Sequence, residues 1–284
     1  METLIVNEAA LSKQIEDVLV ARNPRGMKTV QPALETGYYL RAAQMLRDVK
    51  GTVLIGTGFP VVDTFETDGP VGTLALYQAL ETLGATPVIV CGKPMSEALA
   101  KDYRVCEIHV GPHEQREQEA LDALAKYQPE VIVSIERPGQ AEDGDYYNMR
   151  GESIGARAAC FDSFVRNASC PTIAIGDGGN EIGMGNIYAA LKDLDIMASA
   201  TKVDELLIAD VSNWGAYGIM TFLGLWAEKD LLGAVKPLEI LEYISQLGSV
   251  DGVTRLNELT EDGMPVSEGE SVLLQLRQLS GFAA

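Results

Sequence analysis

Between about residue 50 and about residue 230, short apolar runs rich in Val and Ile alternate with longer stretches whose apolar positions recur three and four apart. Six of the short runs, at 52–55, 87–91, 105–110, 131–135, 172–175 and 206–209, predict strands. They are apolar on successive residues, the pattern of parallel strands covered on both faces. The windows 72–83, 114–127, 153–168 and 216–228 between and after them predict helices. Strand and helix in alternation imply crossover connections, hence an α/β fold: an open, mostly parallel, doubly wound sheet with helices on both faces. Helical periodicity at 8–21 and 36–49, joined by the turn-prone ARNPRGMK, predicts a helical preface over 1–50. The sheet core then runs over 51–232. A helix at 237–247, a Gly-rich hairpin and a closing helix at 270–279 complete the extension 233–284 of one α/β domain.

Polar residues collect where the predicted strands end. GTGFPVVDTFETDGPVGT follows the first strand, ERPGQAEDGDYYNMRGES the fourth, GDGGNEIGMGN the fifth and DVSNWGAYG the sixth. Open α/β sheets bind ligands beyond the carboxyl ends of their strands, so these four segments predict one site. The densest is IGDGGNEIGMGNI (175–187), with five glycines among Asp177, Asn180, Glu181 and Asn186. Glycine admits close backbone approach, and these side chains offer oxygen ligands or a proton acceptor. A tight strand-to-helix turn is the other reading of the same segment.

Asp68 and Pro70 look like a helix start, Asp68 being its cap. Glu66, Thr67, Thr57 and Gly58 beside it suggest a cradle for a substrate carboxylate. Arg137 and Arg150 suit bidentate carboxylate capture, with exposed ion pairs as the alternative. Asn213, Trp214 and Tyr217 read equally as ligand contacts or as capping and core packing. No GK[ST] follows GTGF and no GxGxxG occurs, so no nucleotide cofactor is expected. His109 and His113 are the two histidines, and no closely spaced cysteine pair accompanies them to complete a zinc site. Proton transfer therefore falls to carboxylates, tyrosines or lysines.

Charge narrows the partners further. Lys and Arg number 22 against 41 Asp and Glu, a net charge of −19, which repels nucleic acid and anionic membrane surfaces. The expected partner is a small molecule. Four cysteines without a CxxC pair, no leader-like N-terminus, and a longest nearly apolar stretch of 14 residues (214–227) predict a soluble, cytoplasmic protein. That apolar helix could face the sheet or a second subunit, which leaves a homo-oligomer open.

The motifs ETDGPVG (66–72), IERPG (135–139), NMRGESI (148–154) and GDGGNEIGMGNI (176–187), together with SNWGAYG, resemble those of the D-glutamate cyclase C-terminal-like family over roughly residues 50–220. The resemblance implies a lyase that cyclises D-glutamate to 5-oxo-D-proline with loss of water. It also implies a stand-alone form, since longer relatives carry a separate N-terminal domain before this one. For that reaction Glu66, Asp68, Glu136 and Asp177 are the candidate catalytic carboxylates. Thr57, Gly58, Arg137, Arg150 and Asn213 are the candidate substrate contacts, and Asp177, Asn180 and Glu181 the candidate ligands of a divalent Mg²⁺ or Mn²⁺. Another enzyme acting on an amino diacid or a phosphorylated metabolite, and a non-catalytic binder of an acidic metabolite, are the alternatives.

Overall fold

The computed structural model describes residues 7–284. Six strands, β1 (Thr52–Gly56), β2 (Thr86–Cys91), β3 (Val105–Glu107), β4 (Val131–Ile135), β5 (Thr172–Gly176) and β6 (Glu205–Ile208), form one parallel sheet in the order β3-β2-β1-β4-β5-β6. Registers such as Ile55 opposite Ile89 and Val53 opposite Val131 place apolar side chains beside one another along the centre. β1, β4 and β5 are buried almost throughout, as their unbroken apolar runs require.

The main helices are α1 (Glu8–Leu19), α2 (Tyr38–Leu46), α3 (Pro70–Thr82), α4 (Arg116–Tyr127), α5 (Ser212–Ala227), α6 (Pro237–Gln246) and α7 (Val266–Leu279). α5 is central. It touches α1, α2, α3 and α7 and lies over β5, and Trp214, Tyr217 and Phe222 are fully buried. The apolar helix of the sequence is thus covered within its own chain. One contiguous apolar core extends from Leu11 in α1 to Leu276 in α7. No helix among the described residues is long and apolar enough to cross a membrane.

Two sequence expectations are corrected. The helix expected at 153–168 shrinks to Asp162–Arg166. Before it the chain turns repeatedly, because Asp145 draws the Ser153 hydroxyl at 2.6 Å and Arg137 claims the carbonyl of Ala159. The strand expected at 105–110 stops at Glu107, with Val110 making only an isolated bridge to Ala159.

Asp68 also plays a different part from the expected cap of α3. Gly69 is the N-cap, and the N–H groups of Gly69 and Gly72 donate to Asn213 Oδ1 at 2.8 and 2.6 Å. Asp68 serves the opposite helix: its carboxylate accepts the N–H groups of Ser212 and Asn213, at 2.9 and 2.8 Å, at the start of α5. Each helix start is capped by a residue of the other. The exchange needs close approach, and a Cβ on Gly72 would stand 2.7 Å from Asn213 Cα and 2.9 Å from its carbonyl oxygen.

Gly72→Ala sets about 1 kcal/mol of helix propensity against an overpacking cost of about 1–3 kcal/mol with backbone as the obstacle. The variant is expected to be less stable by up to about 2 kcal/mol, read from urea unfolding. A raised midpoint would contradict the tight crossing.

Candidate functional site

β1 and β4 are neighbours whose crossovers lead to opposite edges of the sheet, so their carboxyl ends open the crevice where such sheets bind ligands. Glu136 is the first residue beyond β4 and holds a left-handed φ of +46°, a conformation that costs a non-glycine residue of the order of 1 kcal/mol. Its carboxylate accepts the Ser212 hydroxyl at 2.6 Å. Asp68, ahead of α3, and Asp177, beyond β5, lie alongside. One oxygen from each of Asp68, Glu136 and Asp177 falls within 4.8 Å of the others, and all three residues are buried.

The nearest positive charge comes from outside the sheet core. Arg25, between α1 and α2, pairs with both Asp177 and Asp262. Its loop is fixed by Asp210, just beyond β6, which accepts the N–H groups of Arg22 and Asn23 at 2.7 and 2.9 Å. Asp262 stands at the turn of the hairpin joining Thr260–Glu261 to Met264–Pro265. Thr67 donates to the Thr260 carbonyl and the Asn213 amide donates to Glu261, each at 2.7 Å, fastening that hairpin to the start of α3 and α5.

One guanidinium does not balance so many acids. Burial above all, with neighbouring carboxylates adding to it, pushes Glu66, Glu136 and Asp177 well above the usual carboxylate range. It pushes Asp68 up to about 8. For Asp262 the upward push of burial is outweighed by Arg25, which holds the group below its ordinary value. Protonated and ionised carboxyls therefore stand side by side near neutral pH, so this floor can both accept and give a proton.

A cavity of about 550 Å³ opens onto the floor. Arg25, Glu66, Glu136, Asn180 and Glu181 line its depth, and Arg150, Arg157 and Arg255 reach it from more exposed positions. Arg150 donates to the Val253 carbonyl at 3.0 Å and Arg255 pairs with Glu152 at 2.9 Å, so both are held at the cavity wall. Acidic depth and basic flank together match a ligand carrying an ammonium and carboxylates.

Of the residues the sequence singled out, Glu66, Glu136, Arg150, Asn180 and Glu181 line the cavity, and Asp68 and Asp177 join Glu136 in the floor cluster. Four take other positions. Arg137, expected as a carboxylate clamp, is 2% exposed and donates to the carbonyls of Thr57, Gly58 and Ala159. It braces three loop segments and does not line the large cavity. Thr57 and Gly58, whose carbonyls it holds, are likewise absent from that lining. Asn213 is fully buried and occupied in capping. Glu181, expected as a metal ligand, binds its own loop: Oε1 accepts Gly178 N–H and Oε2 accepts Gly179 N–H, both at 2.7 Å. The Asn180 amide donates to the Tyr147 carbonyl at 2.8 Å.

Arg25, Asp262, Arg157 and Arg255 escaped the sequence reading. Arg25 lies in a Pro/Gly turn and Asp262 in an ordinary Asp-Gly turn. Both patterns are those of solvated loops, and only the tertiary fold brings them together.

Known proteins bear on this arrangement. A mitochondrial D-glutamate cyclase from Homo sapiens is 33% identical over a match that covers 59% of this chain and 32% of the relative. The match thus spans about a third of that relative's length. A crystal structure of a 3-oxoacyl (acyl-carrier-protein) reductase from Agrobacterium tumefaciens with NADP bound is 13% identical. The likeness covers 83% of this chain and 90% of that one at a TM-score of 0.27 and carries no argument. The family described as D-glutamate cyclase-like, C-terminal matches residues 15–277, and this chain belongs to it.

Proposed function

We propose that this chain is a lyase that cyclises glutamate, in its D form, to 5-oxoproline with loss of water. The observation that carries the reading is the buried cluster Asp68, Glu136 and Asp177 at the depth of an arginine-flanked cavity. In ring closure the α-ammonium nitrogen gives up two protons, one before and one after it attacks the γ-carboxyl carbon, and one γ-carboxylate oxygen takes up two and departs as water. An ammonium seats against the ionised part of the floor. Glu66 and Glu136, the two floor carboxyls that line the cavity, carry these protons between nitrogen and oxygen. Each gives its own proton to the leaving oxygen and is reprotonated from the amine, so the floor carries no net change of charge. Arg150 is the clamp for a substrate carboxylate, where a planar guanidinium offers paired donors.

The donor set also fits a divalent cation. Asp177 Oδ1 is buried without a hydrogen-bond partner, and an all-oxygen set suits Mg²⁺ or Mn²⁺. Asp68, Glu136 and Asp177 would hold the ion, and when bound it would neutralise the γ-carboxylate and polarise its carbonyl. Asn180 and Glu181 stay with the loop that positions Asp177.

Three outcomes are expected. Proton NMR of the protein with D-glutamate and Mg²⁺ or Mn²⁺ shows 5-oxoproline accumulating, with L-glutamate reacting more slowly; no product from either enantiomer would refute the reading. Glu136→Gln keeps the far-UV circular dichroism of the wild type and loses about 10²–10⁴ in kcat; wild-type turnover would remove Glu136 from the chemistry.

The third concerns pH. Asp68 has an ordinary value of 3.8 and one of about 8 in the folded protein. The folded state therefore binds a proton that the unfolded chain has released. Its contribution to stability is complete below the lower value and fades as pH rises through the upper one. Without divalent cations, Tm is expected to fall between about pH 5 and about pH 9. Mn²⁺ should raise Tm more at about pH 8 than at about pH 6, because it binds the deprotonated carboxylates. Asp177→Asn should abolish that rise. A cation effect equal in wild type and variant would sink the assignment of the ligands.

A further inference from the structure

The cavity is larger than glutamate needs. About ten non-hydrogen atoms, each given the roughly 30 Å³ that a water molecule occupies in the liquid, fill at most about 300 Å³, against a cavity of about 550 Å³. Six apolar side chains share its lining. Phe59, Val61 and Val62 from the hairpin after β1, Met149 from the segment after β4, and Leu194 and Ile196 beyond β5 line it. Val62 is 50% exposed and holds a φ of +51°, a left-handed conformation that is a genuine outlier for a β-branched residue. Arg157, itself a cavity residue, holds the Val62 carbonyl in that place. A site for free glutamate alone has no use for an apolar wall of this extent beside an acidic floor.

We propose that this cavity also takes γ-glutamyl amides whose amine portion is apolar, and cyclises them to 5-oxoproline with release of that amine. This rests on the cyclase reading of the same site. The α-amine nitrogen forms the bond to the γ-carbonyl carbon, and the bond from that carbon to the amide nitrogen breaks, its electron pair leaving with nitrogen. The two protons lost by the α-ammonium nitrogen pass by way of the floor carboxyls to the departing nitrogen, which leaves as the protonated amine. The balance is one γ-glutamyl amide in, one 5-oxoproline and one amine out, with no water consumed or formed. The glutamyl ammonium keeps its place at the floor and the α-carboxylate its place at Arg150. The amine substituent lies along Phe59, Val62 and Met149.

The test is NMR turnover of D-glutamate, γ-D-glutamyl methylamide and γ-D-glutamyl benzylamide, with the L series in parallel. The benzylamide is expected to give 5-oxoproline and benzylamine in equal amounts. Its kcat/KM should exceed that of the methylamide by about tenfold or more, the scale on which a hydrophobic pocket discriminates. Val62→Asp should lower that ratio towards unity, and circular dichroism reports whether the variant is folded; Met149→Ala is the second variant if it is not. If D-glutamate cyclises while neither amide reacts nor competes, the proposal falls and the cyclase reading stands. Release of glutamate in place of 5-oxoproline would mean hydrolysis and would also overturn it. Turnover of the amides without D-glutamate would support the proposal and cost the dehydrating activity. Silence of all three substrates refutes both.

Discussion

The helix crossing at Gly72 is the constraint on which the rest of the molecule depends. Two helix starts, each with unsatisfied backbone N–H groups, are turned towards one another, and each borrows an acceptor from the other through Asp68 and Asn213. An aspartate and an asparagine buried at 0% exposure are tolerable only because such bonds are made. The crossing fixes α3 against α5 directly over the strand ends. It thereby fixes Asp68 beside Glu136, and the Asn213 amide holds the C-terminal hairpin through Glu261. Structural and chemical roles meet in the same few side chains.

The floor is an electrostatic compromise held by its surroundings. Carboxylates gathered out of water repel one another and lose hydration, so most keep protons they would otherwise release. Arg25 relieves only part of this. A cluster in this condition favours any cation that enters it, an ammonium or a divalent ion alike. Arginines at the more exposed wall favour the anionic part of the same ligand. Under the proposed reading, the polarity of the cavity orients an amino diacid before any chemistry begins.

The sheet was legible because its signal is local. Unbroken Val and Ile runs at 52–55, 131–135 and 172–175 have no other good use in a chain of this length. The helix at 153–168 misread because apolar spacing alone cannot see Arg137 pulling on the Ala159 carbonyl or Asp145 binding Ser153. Glu66, Asp68, Glu136 and Asp177 could be named because they sit at predicted strand ends or at a predicted helix start. Their neighbours Arg25 and Asp262 could not, since nothing local distinguishes either from a solvated loop charge. Arg137 failed in the opposite sense: a strand-end arginine looks like a clamp, and three of its donors serve backbone carbonyls instead.

The ion pair between Arg25 and Asp262 joins residues 237 positions apart. A ribosome therefore delivers the acidic residues of the sheet core, and the arginine waiting for its second partner, well before the hairpin that finishes the site. Until that last stretch emerges, Asp177 shares Arg25 with no one, and Asn213 has no Glu261 to bind. The crevice therefore cannot be completed until residues beyond the last strand of the sheet have been made. A chain stopped short of the hairpin would contain the residues of all six sheet strands and still lack the finished floor.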